Sequence, residues 1–154
     1  MARVLEGNTR GNSKKIAIVV SRFNEFVSKR LLDACLAELR RCGIKDKVIT
    51  VAWVPGSFEI PVTALKFARK KAVDAVICLG AVIRGETFHF ELVAYGAAHG
   101  IMQAAIATGK PVIFGVLSTN NVQQAYQRSE KRGENKGRDA AQAALAMIDL
   151  LKKI

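Results

Sequence analysis

The run Ala75-Val76-Ile77-Cys78-Leu79 is apolar throughout, and the ten residues after it are Gly80-Ala81-Val82-Ile83-Arg84-Gly85-Glu86-Thr87-Phe88-His89. The run predicts a buried strand over Asp74–Leu79. The small-residue segment beyond predicts a helix from Phe88 to Thr108, stopped by Gly109-Lys110-Pro111. A strand that ends in a glycine-bracketed loop and opens a helix gathers free backbone N–H groups at the positive end of a helix dipole. That setting suits an anion and a neutral imidazole, and the first of only two histidines, His89, stands there.

The same strand–loop–helix unit recurs on both sides. Lys15 to Val20 reads as a strand, Ser21-Arg22-Phe23-Asn24 as a turn, and Glu25 to Arg41 as a helix with Gly43 as its C-terminal cap. Strand Lys47–Trp53, loop Val54-Pro55-Gly56-Ser57 and helix Phe58–Lys71 follow. After the central unit come strand Val112–Leu117, loop Ser118-Thr119-Asn120-Asn121, a helix ending near Arg132, and a last helix beyond Gly133–Gly137. Alternating strands and helices with right-handed crossovers predict a three-layer α/β sandwich of flavodoxin-like type, a mainly parallel four-stranded sheet with helices on both faces. Ligands of such folds bind beyond the carboxyl ends of the strands. Here those ends are Ser21–Asn24, Pro55–Glu59, Gly80–His89 and Leu117–Asn121.

With 154 residues, half of them hydrophobic, the sequence reads as a single domain over residues 1–154. No apolar run reaches the roughly 18 residues that span a bilayer, and residues 1–7 have no signal-peptide core, so a cytoplasmic protein with no membrane partner is expected. Cys35, Cys42 and Cys78 have no metal-ligand spacing and read as reduced thiols. The net charge of +11 implies attraction to anions without choosing among phosphate esters, nucleic acid and acidic proteins. Residues Arg3–Gly7 alternate briefly and suit pairing with another sheet edge.

Taken singly, the candidate residues are modest signals. Placed in the first turn of its helix, His89 is as readily a packed histidine as a base, whereas His99, ten residues on, reads as a surface or interface residue. Gly85-Glu86-Thr87 offers donors for a phosphate, with Thr87 as the N-cap, but matches neither the dinucleotide fingerprint nor the P-loop. Arg84 and Arg128 are phosphate forks only if they escape the solvated fate of most of the 24 Lys and Arg. Phe23 sits in a loop, where a large ring covers core or stacks on a flat ligand, while Phe58 and Phe114 have core positions as their default. Glu59 either complements a helix dipole or accepts bonds from ligand hydroxyls. Gly96, Gly100 and Ala104 form a smooth stripe for close packing. Lys131, Arg132, Lys136 and Arg138 make a basic patch without interleaved aromatics, which argues against nucleic acid at that place.

Together, Arg22-Phe23-Asn24, then Val54 through Pro61, then Gly80 through Phe90, then Pro111-Val112-Ile113-Phe114-Gly115-Val116 and Asn135-Lys136-Gly137 resemble the 6,7-dimethyl-8-ribityllumazine synthase family, in order and spacing over nearly the whole chain. The resemblance implies a condensation of 5-amino-6-(D-ribitylamino)uracil with 3,4-dihydroxy-2-butanone 4-phosphate, with no metal or redox cofactor and no nucleic-acid partner. It implies that Phe23 stacks on the pyrimidine, that Ser57, Phe58 and Glu59 hold the ribityl chain, and that Ala81, Val82 and Ile83 meet the uracil edge. Glu86, Thr87 and Arg128 would bind the phosphate, and His89 would be the acid/base. It further implies pentamers, free, paired or closed into icosahedral shells, with Phe114 and Arg128 reaching the site from an adjacent subunit, Lys136 also facing it, and the N-terminal segment 1–14 packing on a neighbour. The chain departs from the family pattern at Tyr95-Gly96 and Ser129-Glu130, which leaves the assembly type open. A receiver or flavodoxin-like carrier is the alternative from another class, but a receiver needs acidic residues where this chain has Ser21-Arg22-Phe23-Asn24. Archaeal-type riboflavin synthase is the alternative among enzymes.

Overall fold

A computed structural model describes residues 1–154. Four strands form one sheet: β1 (Ile16–Ser21), β2 (Ile49–Val54), β3 (Ala75–Ile83) and β4 (Val112–Thr119). The helices are α1 (Glu25–Arg41), α2 (Ile60–Ala68), α3 (His89–Thr108), α4 (Val122–Gln127) and α5 (Lys136–Lys153), with 3-10 turns at Asp46–Val48 and Ser57–Glu59. All pairings are parallel, in the order β2-β1-β3-β4. The sheet is thus the expected flavodoxin-like centre of a three-layer sandwich, and wholly rather than mainly parallel.

The central strands explain the core. β1 is buried at every position and β3 at all but its last, because helices cover both faces of a parallel sheet. Alternate residues go to opposite layers. Ile16, Ile18 and Val20 pack with Leu31, Cys35 and Leu39 of α1 and Leu145 and Ile148 of α5. Ala17 and Val19 pack with Ile60 and Ala64 of α2 and Ile101 and Ala104 of α3. Each large side chain so enclosed contributes roughly 2–5 kcal/mol by the cost of truncating it to alanine. The small-residue stripe is packing surface within the chain: a side chain on Gly96 would strike the Phe58 ring, and one on Gly100 would strike Pro61.

Several boundaries differ from those expected. β3 runs to Ile83 and β4 to Thr119 because the two strands remain paired through Gly80↔Val116 and Ile83↔Thr119, beyond the predicted ends at Leu79 and Leu117. α2 stops at Ala68 rather than Lys71, and α4 at Gln127 rather than near Arg132. The early end of α4 has a local cause. Ser129 Oγ donates back to the Ala125 carbonyl at 2.9 Å, and Ser129 then bridges to Asn135, whose side chain caps α5. The α1 boundaries are as read, with Gly43 at φ +96 just past the end. The three cysteines are free, and Cys35 and Cys78 are buried. Residues 1–15 form no strand. Asn8 N donates to Asp149 of α5 at 2.9 Å, and Lys153 Nζ donates to the Glu6 carbonyl at 2.8 Å.

Candidate functional site

Strand order reverses between β1 and β3: α1 leads outward to β2 on one side, and the chain then returns to build β3 and β4 on the other. Loops leaving β1 and β3 at such a switch point diverge to opposite faces, which opens a crevice. A cleft of about 730 Å³ lies there. It is lined from the β1 loop by Phe23, from the β2 loop by Ser57, Phe58 and Glu59, and from the end of β3 by Ala81, Val82 and Ile83. Thr87 and His89 complete the wall at the start of α3.

Nine of the twelve site residues read from the sequence therefore meet in one cleft. The other three lie outside it. Glu86 is exposed on the β3–α3 loop, Arg128 caps the C-terminus of α4, and Phe114 stands on edge strand β4. For Phe114 and Arg128 the separation follows from topology, since β4 and α4 lie beyond β3 from the β1/β3 switch point, whereas Glu86 sits between the cleft residues Gly85 and Thr87 without lining the cleft.

The cleft walls are held by specific bonds. Asn24 adopts the left-handed conformation at φ 61, which asparagine tolerates, and its Nδ2 donates to the Ala81 carbonyl at 2.9 Å. The β1 loop is tied to the β2 loop by Arg22 N–H to Val54 O at 2.8 Å and Phe23 N–H to Pro55 O at 3.0 Å. Glu59 Oε2 accepts from Gly56 N at 3.0 Å, leaving Oε1 without an internal donor. Gly80 lies beneath the floor. A methyl group there would come within 2.6 Å of Ser21 Oγ and 2.8 Å of Ser57 Oγ, so the absence of a side chain is what lets Ser57 settle against β3.

Arg84 is bound differently from the phosphate fork considered for it. Its guanidinium pairs with Glu91, its Nε donates to Asn120 at 3.0 Å, and it lies 4.4 Å from the Phe90 ring centre. Its backbone N–H donates to Thr119 O at 2.8 Å. Beside Arg84 the Glu91 carboxyl is held below its usual range, chiefly by that guanidinium's hydrogen bond. Arg84 thus fastens the β3–α3 loop to β4 and to the first turn of α3, and so sets where Thr87 and His89 stand. Thr87 is not the N-cap, since Phe88 holds that place; its Oγ1 accepts a long bond of 3.4 Å from His89 N.

The rings at the site are open to solvent. Phe23 is 72% exposed and Phe58 61%, and Phe114 on its edge strand is 48% exposed. For Phe58 and Phe114 this corrects the core default: Phe58 lies over the backbone of Gly96, with its other face in the cleft, and β4 has no strand beyond it to cover Phe114. Arg128 is half-buried, and its Nη1 donates to Gln124 O at 3.1 Å, which leaves its other guanidinium nitrogens available. Phe90, Leu92 and Val93 also line the cleft. Their helical spacing after His89 places them on one face of α3, a signal present in the sequence but shared with ordinary core packing. No three His, Cys, Asp or Glu side chains gather into a metal-binding group.

What this arrangement can do is hold a flat, hydroxylated molecule between aromatic rings and strand ends, with an imidazole and loop N–H groups beside it. The chain also matches the family model for 6,7-dimethyl-8-ribityllumazine synthase over residues 13–152. That span takes in all four strand ends and every residue placed at the cleft, and the chain belongs to the 6,7-dimethyl-8-ribityllumazine synthase family, transferases of riboflavin biosynthesis.

Proposed function

We propose that the cleft at the β1/β3 switch point is where this chain condenses 5-amino-6-(D-ribitylamino)uracil with 3,4-dihydroxy-2-butanone 4-phosphate, releasing phosphate and water. The reading rests on one observation: nine residues read from three separate stretches of sequence line a single cleft in a chain of this family. Phe23 stacks on the pyrimidine, the strand end Ala81-Val82-Ile83 faces the uracil edge, and Ser57, Phe58 and Glu59 hold the ribityl hydroxyls. Glu59 Oε1 suits that role because only Oε2 is engaged by Gly56.

His89 moves the protons. The amine adds to the ketone and loses water to give an imine, phosphate is then eliminated, and the second amine attacks the remaining carbonyl and loses a second water to close the ring; each step transfers a proton to or from nitrogen or oxygen. Both reactants are reactive by themselves, so holding amine and ketone together supplies much of the acceleration. The reaction needs no metal or redox cofactor, since no electrons are exchanged with an outside group.

The phosphate is held by Glu86 and Thr87 through the loop, with Arg128 as the cation. Arg128 and Phe114 lie outside this chain's own cleft, which supports a site shared between subunits, where each serves the neighbouring copy. Lys136 faces the same junction, although Glu134 and Asp139 occupy its ammonium within the chain. The assembly is a homo-oligomer built of pentamers, and the exposed residues Met1 to Val4 of segment 1–14 extend onto a neighbour. No helix is long and apolar enough to cross a membrane, and the cytoplasm is the place we propose for the reaction.

The test is to supply both precursors and follow lumazine fluorescence. Signal that requires the butanone phosphate supports the proposal. Riboflavin formed from lumazine alone would instead identify the disproportionating synthase. Sedimentation of the purified protein, with pentamers or multiples expected and monomers contradicting a shared site, tests the assembly.

A further inference from the structure

The positive charge of this chain is concentrated at the end of the sheet opposite the cleft. Because all strands are parallel, every loop entering a strand lies at that end, together with the C-termini of α1, α2, α3 and α5. The entering loops carry Arg10, Lys14 and Lys15 before β1, Lys45 and Lys47 before β2, Arg69, Lys70 and Lys71 before β3, and Lys110 before β4. Helix ends add Arg40, Arg41, Lys152 and Lys153, and the acidic residues there are Glu38, Asp46, Asp74 and Asp149. Thirteen of the 24 basic residues and four of the 13 acidic ones leave about +9 at this end, against about +2 for the rest of the chain.

Helix dipoles account for only part of it. Four C-termini at roughly −0.5 elementary charge each call for about +2. Ion pairs absorb Arg40, Arg41 and Lys153, and Lys110 donates to the carbonyls of Lys70 and Val73. The other nine cations have no carboxylate within 4.0 Å. Lys14 and Lys152 stand side by side, and that contact lowers the Lys14 pKa. An array that repels itself is relieved by a partner carrying many negative charges.

We propose that this end binds the phosphate backbone of a double-stranded nucleic acid without regard to sequence. Strands about 4.8 Å apart set the four loops across about 15 Å in the plane of the sheet, and a helix layer about 10 Å away on each face makes this end about 20 Å deep, so it spans about half of the roughly 34 Å turn of a duplex. The entering loops hold no exposed aromatic ring on which single-stranded bases could stack, and the exposed apolar residues at the neighbouring helix ends, Ile106, Leu151 and Ile154, are aliphatic, so the vesicle arm of the experiment below separates a bilayer from a duplex. Cations without aromatics fit duplex phosphates. Binding a duplex departs from the expectation of no nucleic-acid partner, which at the level of residues concerned only Lys131–Arg138 at the other end.

The experiment titrates the intact protein into a fluorescein-labelled 20-base-pair duplex DNA across a salt series, beside phosphatidylserine vesicles and polyglutamate. Neutralising about four phosphates should weaken duplex binding about 50-fold between 50 and 150 mM salt. The triple variant Lys15→Glu, Lys47→Glu, Lys71→Glu should weaken it about 30-fold or more at 50 mM, and Lys131→Glu with Arg132→Glu by less than about threefold. Lumazine formation by both variants should match the parent, which shows that they fold and keeps this test separate from that of the reaction. No duplex binding at 50 mM salt, equal binding by the triple variant, or capture of vesicles or polyglutamate in preference to duplex would overturn the proposal.

Discussion

The two ends of the sheet are made from the same kind of part, a loop joining a strand to a helix, yet they are finished differently. At the amino end the loops are stitched to one another. Gly11 N donates to Cys42 O at 2.8 Å, Lys15 and Asp74 exchange two bonds of 2.8 and 2.9 Å, and Lys110 Nζ donates to Lys70 O and Val73 O at 2.7 and 2.8 Å. At the carboxyl end the bonds run through the loop backbones, from Arg22 and Phe23 N–H to the Val54 and Pro55 carbonyls, and through Asn24 and Arg84, while the side chains of Phe23, Phe58 and His89 face outward. A ligand site needs groups left without internal partners, and the stability forgone there has to come from elsewhere in the fold. Here it comes from the core that both ends share and from the stitched end.

The comparison breaks if changes at the open end unfold the protein or changes at the stitched end stop the reaction. The largest effect expected is from His89→Ala, which should lower turnover about 100-fold, with an unchanged melting temperature, because the side chain is exposed and proton transfer contributes a factor of that order. Steady-state kinetics beside a thermal melt checks both halves. Arg128→Ala should raise KM for the butanone phosphate about 30-fold and leave KM for the uracil within about twofold, as loss of a charged contact to one substrate requires. An equal rise in both values would remove Arg128 from the phosphate.

At the stitched end, Glu38 is buried between Arg41, which donates to it at 2.9 and 2.6 Å, and Gln142, at 2.8 Å. The Arg41 hydrogen bonds lead in lowering its carboxyl from 4.5 to about 2. Its folded value lies below its unfolded one, so the carboxylate's contribution is complete above about 4.5 and is lost as pH falls towards about 2. With Arg41 largely in solvent, that contribution is discounted to about 1–2 kcal/mol. Denaturant melts at pH 7 and pH 3 should differ by less in Glu38→Gln than in the parent. Smallest is Lys110→Met, which leaves two carbonyls short of a donor and should cost about 1 kcal/mol with unchanged kinetics.

Much of the site was legible because the residues of the cleft lie in three short stretches, each placed by a strand before it and a helix after it. Phe23 shows the logic: a large ring in a polar loop has no local reason to be there. Phe58 and Phe114 were misplaced by the same reasoning, since a ring near a helix start or within a strand is normally covered. Arg84 gave no sign in the sequence of being a fastener, because its partners Asn120 and Glu91 are brought to it from different elements.

By itself the sequence determined the order of strands and helices, the apolar face of each, and the single basic excess of the chain. Those depend on side-chain periodicity and on the conformational limits of glycine, proline and asparagine, which act over a few residues. The tertiary structure alone decided that β1 and β3 lie side by side, that β3 stays paired to Ile83, that Phe114 is left uncovered on an edge, and that nearly all the net charge collects at one end. Each of these follows from which elements meet across the sheet, and pairings between residues tens of positions apart leave no local pattern to read.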